Sequence, residues 1–534
     1  MRWEEEAYSR TDSDGNPISL IEYEKRAAER KLSRWHLMSR GDLTLYSITG
    51  VGFFLDSYDL FIINLMSPIW NYEYWNGTYP PLLRGAVNAA SNIGNIIGQI
   101  SFGFLGDAFG RKFVYGKELI ICIIGTILVI SLPNSIPTPT LKMIWIFCFR
   151  LLMGIGIGGD YPMSASIVSE RSHLHSRGRL LAWIFSNQGW GTLTGSVATI
   201  IILSCFKKTI KDEGKYNQLD AVWRIQMGIA LVPAFATLIP PSPASLRHGH
   251  TPTPQSDTPL ETNTIHNKFD SIHPGAVKTL PTIPTGPEDL EKLAPVSRKA
   301  KLNTFFIYFS EWRHLKTLIG TASCWFLLDV AFYGTNLNQS VLLADIGFST
   351  GKSHYDVLMR NAIGNLIIAI AGYVPGYFFT IGLVELLGRR WIQIQGFLTC
   401  ALMFAILAGG YTHLTTAGKF VCFAIAQFFF NFGPNATTFI IPAEVFPSRV
   451  RGFAHGLSAA IGKLGAILSA LLFNYLAGPK VIGLANVLWI FFACNILGAI
   501  ITWFLIPETK GRDADVIDFE EWQEKDVTLT GKQS

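Results

Sequence analysis

Apolar runs separated by short polar breaks recur along almost the whole chain, and their length sets the first expectation. A helix that crosses a bilayer needs about 20 predominantly apolar residues. Segments of that kind lie at 43–67, 85–106, 113–132, 143–166, 179–203 and 221–239, and again at 315–343, 361–381, 391–409, 419–445, 452–476 and 482–506. The pattern predicts an all-α membrane protein with twelve transmembrane helices in two six-helix bundles. The bundles occupy 43–239 and 313–506, after an N-terminal segment 1–42 and before a tail 507–534. The stretch 240–312 is rich in Pro, Ser, Thr and charge (Thr251 to Pro254, Pro274, Pro281, Pro284, Pro287). It cannot bury a core and reads as a disordered linker.

The two halves repeat each other. Gly103-Phe-Leu-Gly-Asp107-Ala-Phe-Gly110-Arg111-Lys112 is echoed by Gly382-Leu-Val-Glu385-Leu-Leu-Gly388-Arg389-Arg390, an offset of 278 from Asp107 to Glu385. Glu170 precedes Arg177-Gly178 as Glu444 precedes Arg451-Gly452, an offset of 274. Two similar membrane bundles in tandem are a transporter architecture with the substrate site between the halves, near the bilayer midplane.

Composition agrees with a lipid solvent. Charged residues make up 16% of the chain, against roughly 25% in soluble domains. A net charge of +5, scattered among the helix connections, does not suggest nucleic-acid binding. The seven cysteines form no CxxC pair and read as small apolar residues. No apolar core follows the charged N-terminus, so no cleavable signal peptide is expected. Lys and Arg cluster before the first span (Lys25 to Arg40), at Arg111-Lys112, at Arg171 to Arg179 and at the matching turns of the second half. By the positive-inside tendency both termini are cytoplasmic. Lys207, Lys208, Lys211 and Lys215 run against this rule, in a loop expected outside. Asn76-Gly-Thr78 is a glycosylation sequon in an expected outer loop, as befits a plasma-membrane glycoprotein.

The Asp107 loop and its echo, Arg150-x-x-x-Gly-x-Gly-x-Gly-Gly and Pro507-Glu-Thr-Lys-Gly-Arg512 together resemble the major facilitator superfamily. Sugar porters share several of these motifs. Three others resemble the phosphate:proton symporters of fungi and plants: Gly154-Ile-Gly-Ile-Gly-Gly-Asp160-Tyr161-Pro162-Met-Ser164, Gly52-Phe-Phe-Leu-Asp56-Ser-Tyr58-Asp59 and Trp325-Phe-Leu-Leu-Asp329-Val-Ala-Phe-Tyr333-Gly-Thr-Asn336. Leu55 departs slightly from that family's first span, and Pro240-Pro-Ser-Pro replaces its usual Pro-Glu-Ser segment. The resemblance implies the major facilitator fold, no cofactor or metal, and proton-coupled symport of inorganic phosphate by alternating access.

Ionisable groups within spans cost about 2.5–3.5 kcal/mol on insertion scales and usually line a pathway. Asp56, Asp59, Glu118, Asp160, Asp329 and Lys463 are the candidates. Asp329 echoes Asp56, Asn435 echoes Asp160 and Lys463 echoes Gln188, at offsets of 273, 275 and 275, which places each pair across the pseudo-twofold axis. Trp325, Asp329 and Tyr333 share one helix face. The resemblance implies that Tyr161, Gln188, Trp325, Asp329, Tyr333, Asn435 and Lys463 bind phosphate. Asp56, Asp59, Glu118, Asp160 and Asp329 are the proton-coupling candidates, Glu118 by resemblance alone. A carboxylate beside a bound anion is driven to take up a proton, because like charges repel in low dielectric. Protonated Asp329 then donates a hydrogen bond to phosphate. Lys463 either balances that charge or forms a structural ion pair with an aspartate, and the alternative for Asp56 and Asp59 is that one of them caps or braces a neighbouring helix. Asp107, Arg111, Glu170, Glu385, Arg389 and Glu444 are expected to act as gate latches, or otherwise only to set topology. No nucleotide motif, metal cluster or nucleophile–base set supports an enzyme. The competing functions are a proton-coupled glycerophosphodiester permease, for glycerophosphoinositol or glycerophosphocholine, and a phosphate-sensing receptor with little flux.

Overall fold

The computed structural model describes residues 40–109, 114, 116–172, 174–238, 298–478, 481–518 and 520–521. All regular elements among them are helical. The first half comprises α1 (Arg40–Phe61), α2 (Ile63–Tyr74), α3 (Pro81–Phe109), α4 (Lys117–Ile130), α5 (Pro139–Arg171), α6 (Arg177–Phe185), α7 (Asn187–Cys205), α8 (Leu219–Gly228) and α9 (Leu231–Leu238). After α10 (Arg298–Phe309), the second half comprises α11 (Trp312–Asn336), α12 (Gln339–Asp345), α13 (His354–Ile368), α14 (Val374–Leu387), α15 (Arg389–Gly409), α16 (Thr416–Asn431), α17 (Pro434–Val445), α18 (Arg451–Leu476) and α19 (Leu484–Leu505). The linker expected at 240–312 lies outside the described residues up to 297. Its final part forms α10, which opens on the good helix formers Arg298 to Leu302.

Seven helices are long and apolar enough to cross a membrane by length and composition. The other five expected spans escape that criterion for visible reasons. Spans one, five and ten are divided into two helices, as are the qualifying spans six and eight, and carry more polar residues than those two; the third (α4) is 14 residues long, and α3 buries Asn88, Asn92, Asn95 and Gln99. Those amides lie inside the bundle, whereas Ile97, Ile120, Ile124, Leu402 and Phe504 are exposed. Apolar outside and polar within is the arrangement a lipid solvent selects.

The glycine run of α5 forms a packing seam. A Cβ on Gly154 or Gly158 would run into the backbone at Ser91 or Asn95, and one on Gly94 or Gly98 into α5. Small residues four apart on both helices let the two backbones meet.

Two breaks obey the repeat. Span one is interrupted at Ile62 and span seven at Leu337–Asn338. Just beyond them Asn64 meets Ser340, an offset of 276: the Ser340 amide donates to Asn64 Oδ1 at 2.7 Å, and its hydroxyl also bonds the Asn64 carbonyl. Asn64 donates to Asn365 at 2.6 Å, Asn361 to Ser340 at 2.8 Å and Asn88 to the Leu337 carbonyl at 3.2 Å. Neutral amides and a hydroxyl therefore join the halves on the face away from the chain ends.

Candidate functional site

Between the halves, α5 and α7 of the first face α11, α14, α17 and α18 of the second. Lys463 Nζ donates to Asp329 Oδ2 at 3.0 Å and to the Tyr333 hydroxyl at 2.8 Å. Both charged side chains are 1% exposed. Lys463 is therefore ion-paired with Asp329, an arrangement common to both readings open for it. Its ammonium also lies 4.2 Å from the Tyr333 ring centre and 5.6 Å from that of Tyr161. Tyr161 accepts from Gln188 Nε2 at 2.6 Å, so the echo partners Gln188 and Lys463 meet on opposite sides of one tyrosine. Gln188 Oε1 accepts from the Tyr377 hydroxyl at 3.0 Å, and that hydroxyl accepts from Asn435 Nδ2 at 2.8 Å. Six of the seven substrate-site candidates thus enter one buried polar network of close hydrogen bonds and aromatic contacts. The seventh, Trp325, makes its ring contact edge-on with His455, 5.5 Å away, beside Gly462. It walls the site.

Tyr377, Ser57 and Asn431 escaped the sequence reading. Ser57 Oγ donates to the Gln188 carbonyl at 2.6 Å and Asn435 donates to Asn431 Oδ1 at 2.8 Å. All three are neutral, so charge does not mark them. Ser57, flanked by Asp56 and Tyr58, was the most discoverable.

The remaining carboxyls form a second cluster in the first half. Asp56 interacts electrostatically with Asp160, Asp59 and Glu118. Asp160 Oδ1 accepts from Ser164 at 2.7 Å, Asp59 Oδ2 from Cys122 at 3.5 Å and Glu118 Oε1 from the Gly116 amide at 2.7 Å. One oxygen of each carboxyl (Asp56 Oδ2, Asp59 Oδ1, Asp160 Oδ2, Glu118 Oε2) is buried without a hydrogen bond. Arg150, fully buried, interacts with Asp59 and donates to its backbone carbonyl at 3.4 Å. The cluster thus gathers four carboxyls, of which Asp59 alone interacts with the buried guanidinium. Glu118, which resemblance alone had singled out, joins it from the first turn of α4.

On the face that carries the chain ends, two carboxylates cap helices of the opposite half. Asp107 accepts from the Phe453 amide at 2.8 Å, and Glu385 from the Arg179 amide at 3.0 Å. Both amides are the third of their helix, among the N–H groups that lack an intrahelical partner. A Cβ on Gly452 would strike Asp107, and one on Gly178 would strike Arg389. Arg389 clamps Glu385 at 2.7 Å and Glu444 at 2.8 Å. Arg111 and the Glu170 side chain lie outside the described residues. The tail adds Thr509 to Glu444 at 2.6 Å, Asp515 to Arg451 at 3.1 Å and Asp513 to Arg177 at 3.5 Å. Asn76 is exposed in the turn between α2 and α3. The basic loop that runs against the orientation rule is partly neutralised: Lys211 pairs with Asp356 at 2.7 Å and Lys215 with Glu213 at 2.9 Å.

Comparison with known proteins adds three findings. The profile of the "sugar (and other) transporter" family matches residues 45–520. The chain is 53% identical to a "putative inorganic phosphate transporter" of Schizosaccharomyces pombe, over 94% of this chain and 92% of that one, and 38% identical to the inorganic phosphate transporter PHO84 of Saccharomyces cerevisiae, over 88% and 83%. Its fold matches the proton:xylose symporter XylE bound to a bromodeoxyglucose with a TM-score of 0.64 at 18% identity, covering 89% of this chain and 98% of that one.

Proposed function

The chain belongs to the sugar (and other) transporter family of the major facilitator superfamily, and on that premise we propose that it carries inorganic phosphate with protons by alternating access. It is a multi-pass membrane transporter and not an enzyme. The observation that carries the phosphate reading is the buried Lys463–Asp329 pair with Tyr333, set between the halves. Phosphate that enters must take Lys463 as its counter-charge, and Asp329 is then left as an uncompensated carboxylate in low dielectric. Neutralising it with a proton removes that penalty and turns its carboxyl into a donor toward the anion. Substrate and proton therefore load together. On release the proton leaves, and Lys463 returns to Asp329. Tyr161, Gln188, Tyr377 and Asn435 offer further hydroxyl and amide donors to phosphate oxygens, and Trp325 walls the pocket. The Asp56, Asp59, Glu118 and Asp160 cluster relays protons, with Arg150 as its counter-charge.

In this reading Asp107, Arg111, Glu170, Glu385, Arg389 and Glu444 latch the inner gate, with the paired caps at Asp107 and Glu385 as its twofold contacts. Both termini and the linker 240–312 face the cytoplasm, Asn76 faces outward for glycosylation, and the plasma membrane is the site of action. The test is uptake of radiolabelled phosphate in transporter-deficient cells, competed with glycerophosphodiesters and sugars. Uptake rises as external pH falls below neutral and collapses with a protonophore. Flux that ignores both treatments rejects proton coupling, and preferential competition by a glycerophosphodiester rejects phosphate as the substrate.

A further inference from the structure

A second pocket, far from the central site in function, lies on the face that carries the chain ends. It has a volume of about 510 Å³ and is bordered by the start of α11, the start of α15, the end of α19 and the tail. Its lining includes Arg313, Lys316, Arg390 and Arg512, but also Glu444, Glu508, Asp518 and Glu521. The carboxylates are already engaged. Glu444 holds Arg389, Glu508 accepts the Arg389 and Arg390 amides, Asp518 pairs with Arg449 at 2.7 Å and Glu521 pairs with Arg313 at 2.7 Å. Lys316 and Arg512 have no carboxylate within ion-pair distance among the described residues, and Arg390 Nε is buried without an acceptor. Cationic donors are thus left over in a pocket large enough for a ring-sized ligand.

Of the tryptophans only Trp503 lines the pocket, with Arg390 5.0 Å over its ring and the exposed Trp391 packed edge-on against it at 5.7 Å; Trp312 is likewise exposed, at the start of α11. Exposed tryptophans at helix ends mark the level of lipid head groups. We propose that this pocket binds the head group of a phosphorylated anionic phospholipid of the phosphatidylinositol phosphate class, Lys316 and Arg512 taking its phosphates and Trp503 lying against its glycerol and upper acyl carbons. Assignment to the cytoplasmic leaflet rests on the orientation proposed above; the site itself does not.

The experiment uses the purified full-length chain in nanodiscs, which present both leaflets, so lipid retention reads the same whichever way the chain is oriented. Native mass spectrometry measures retention of phosphatidylinositol phosphate, phosphatidylinositol and phosphatidylcholine, and a parallel assay measures binding of soluble inositol bisphosphate. The phosphorylated lipid is expected to be retained over the other two. The double variant Lys316→Ala, Arg512→Ala should lose about tenfold or more of that affinity, the usual scale for charged hydrogen bonds, while still transporting phosphate. Trp503→Ala should weaken retention of the lipid and spare the soluble head group. Equal retention of all three lipids by the unaltered chain overturns the proposal, as does undiminished preference in a double variant that still transports. Binding of inositol bisphosphate without retention of the lipid overturns the lipid assignment in favour of a soluble ligand.

Discussion

At the scale of single residues, the pairing of Lys463 with Asp329 makes the sharpest prediction. Asp329→Asn keeps a donor toward phosphate but cannot lose a proton. Phosphate binding to the purified variant should survive and lose much of its pH dependence, while accumulation in cells falls sharply. Wild-type accumulation by the variant would remove Asp329 from the coupling. Tyr377→Phe removes the hydroxyl that joins Gln188 to Asn435. At about 0.5–1.5 kcal/mol for a hydrogen bond, KM should rise by roughly two- to tenfold with protein abundance unchanged, read from uptake kinetics. These two residues differ in how legible they were. Asp329 stood out because a carboxylate in an apolar span is costly and because it echoes Asp56. Tyr377 lies in the apolar run Gly376-Tyr-Phe-Phe-Thr380 and carries no charge, and its counterpart at the offset of 278 is Gln99, so only a search for neutral polar pairs across the repeat would have found it. Its role comes only from the tertiary approach of α14 to α7.

At the scale of elements, helix ends do much of the joining. Gly452→Ala should displace Asp107 from the first turn of α18. Loss of a cap costs about 0.5–2 kcal/mol, which corresponds to a shift of roughly two- to thirtyfold toward conformations open on the face of the chain ends. Labelling of an engineered cysteine in the central site from that face checks the shift. The tail supplies a pH argument outside the membrane. Burial by itself raises the Asp515 carboxyl, but Arg451 and hydrogen bonds from Ser448 outweigh it and hold the group below the ordinary carboxylate range. A carboxyl lowered on folding contributes stability above its unfolded pKa, about 4, that is lost as pH falls through the folded value. Tail docking should therefore be insensitive to pH across the neutral and mildly acid range, and amide exchange at 513–518 should be equal at about pH 7 and about pH 5 apart from the intrinsic rate. The spans themselves were readable from apolar runs, yet the breaks at Ile62 and Leu337 were not. No proline or glycine stands at either, and the neighbouring Asn64 and Ser340 read as ordinary polar intrusions until the two helices are seen side by side.

At the scale of the whole molecule, the two faces are closed by different chemistry: charge and helix ends on the face of the chain termini, neutral amides on the other. Joining Asn64→Cys to Ser340→Cys by a disulfide should hold the amide face shut and stop uptake, with activity restored by reductant; uptake indifferent to oxidation would mean that this contact persists throughout the cycle. The tandem repeat announced two bundles from sequence alone, but only the fold reveals how they grip each other. Asp107 reaches the Phe453 amide while Glu385 reaches that of Arg179. Residue i of one half holds j of the other, and j′ is held by i′, which is the rule of an isologous dimer interface. A homodimer of one six-helix unit satisfies both contacts with one sequence, and every substitution then appears twice. Fusion into a single chain removes that copying. The capping contacts on the face of the chain ends keep a twofold form, while one half gathers Asp56, Asp59, Glu118 and Asp160 and the other places a lysine where its twin has Gln188. An asymmetric cargo moved by a symmetric hinge is what such a fusion permits.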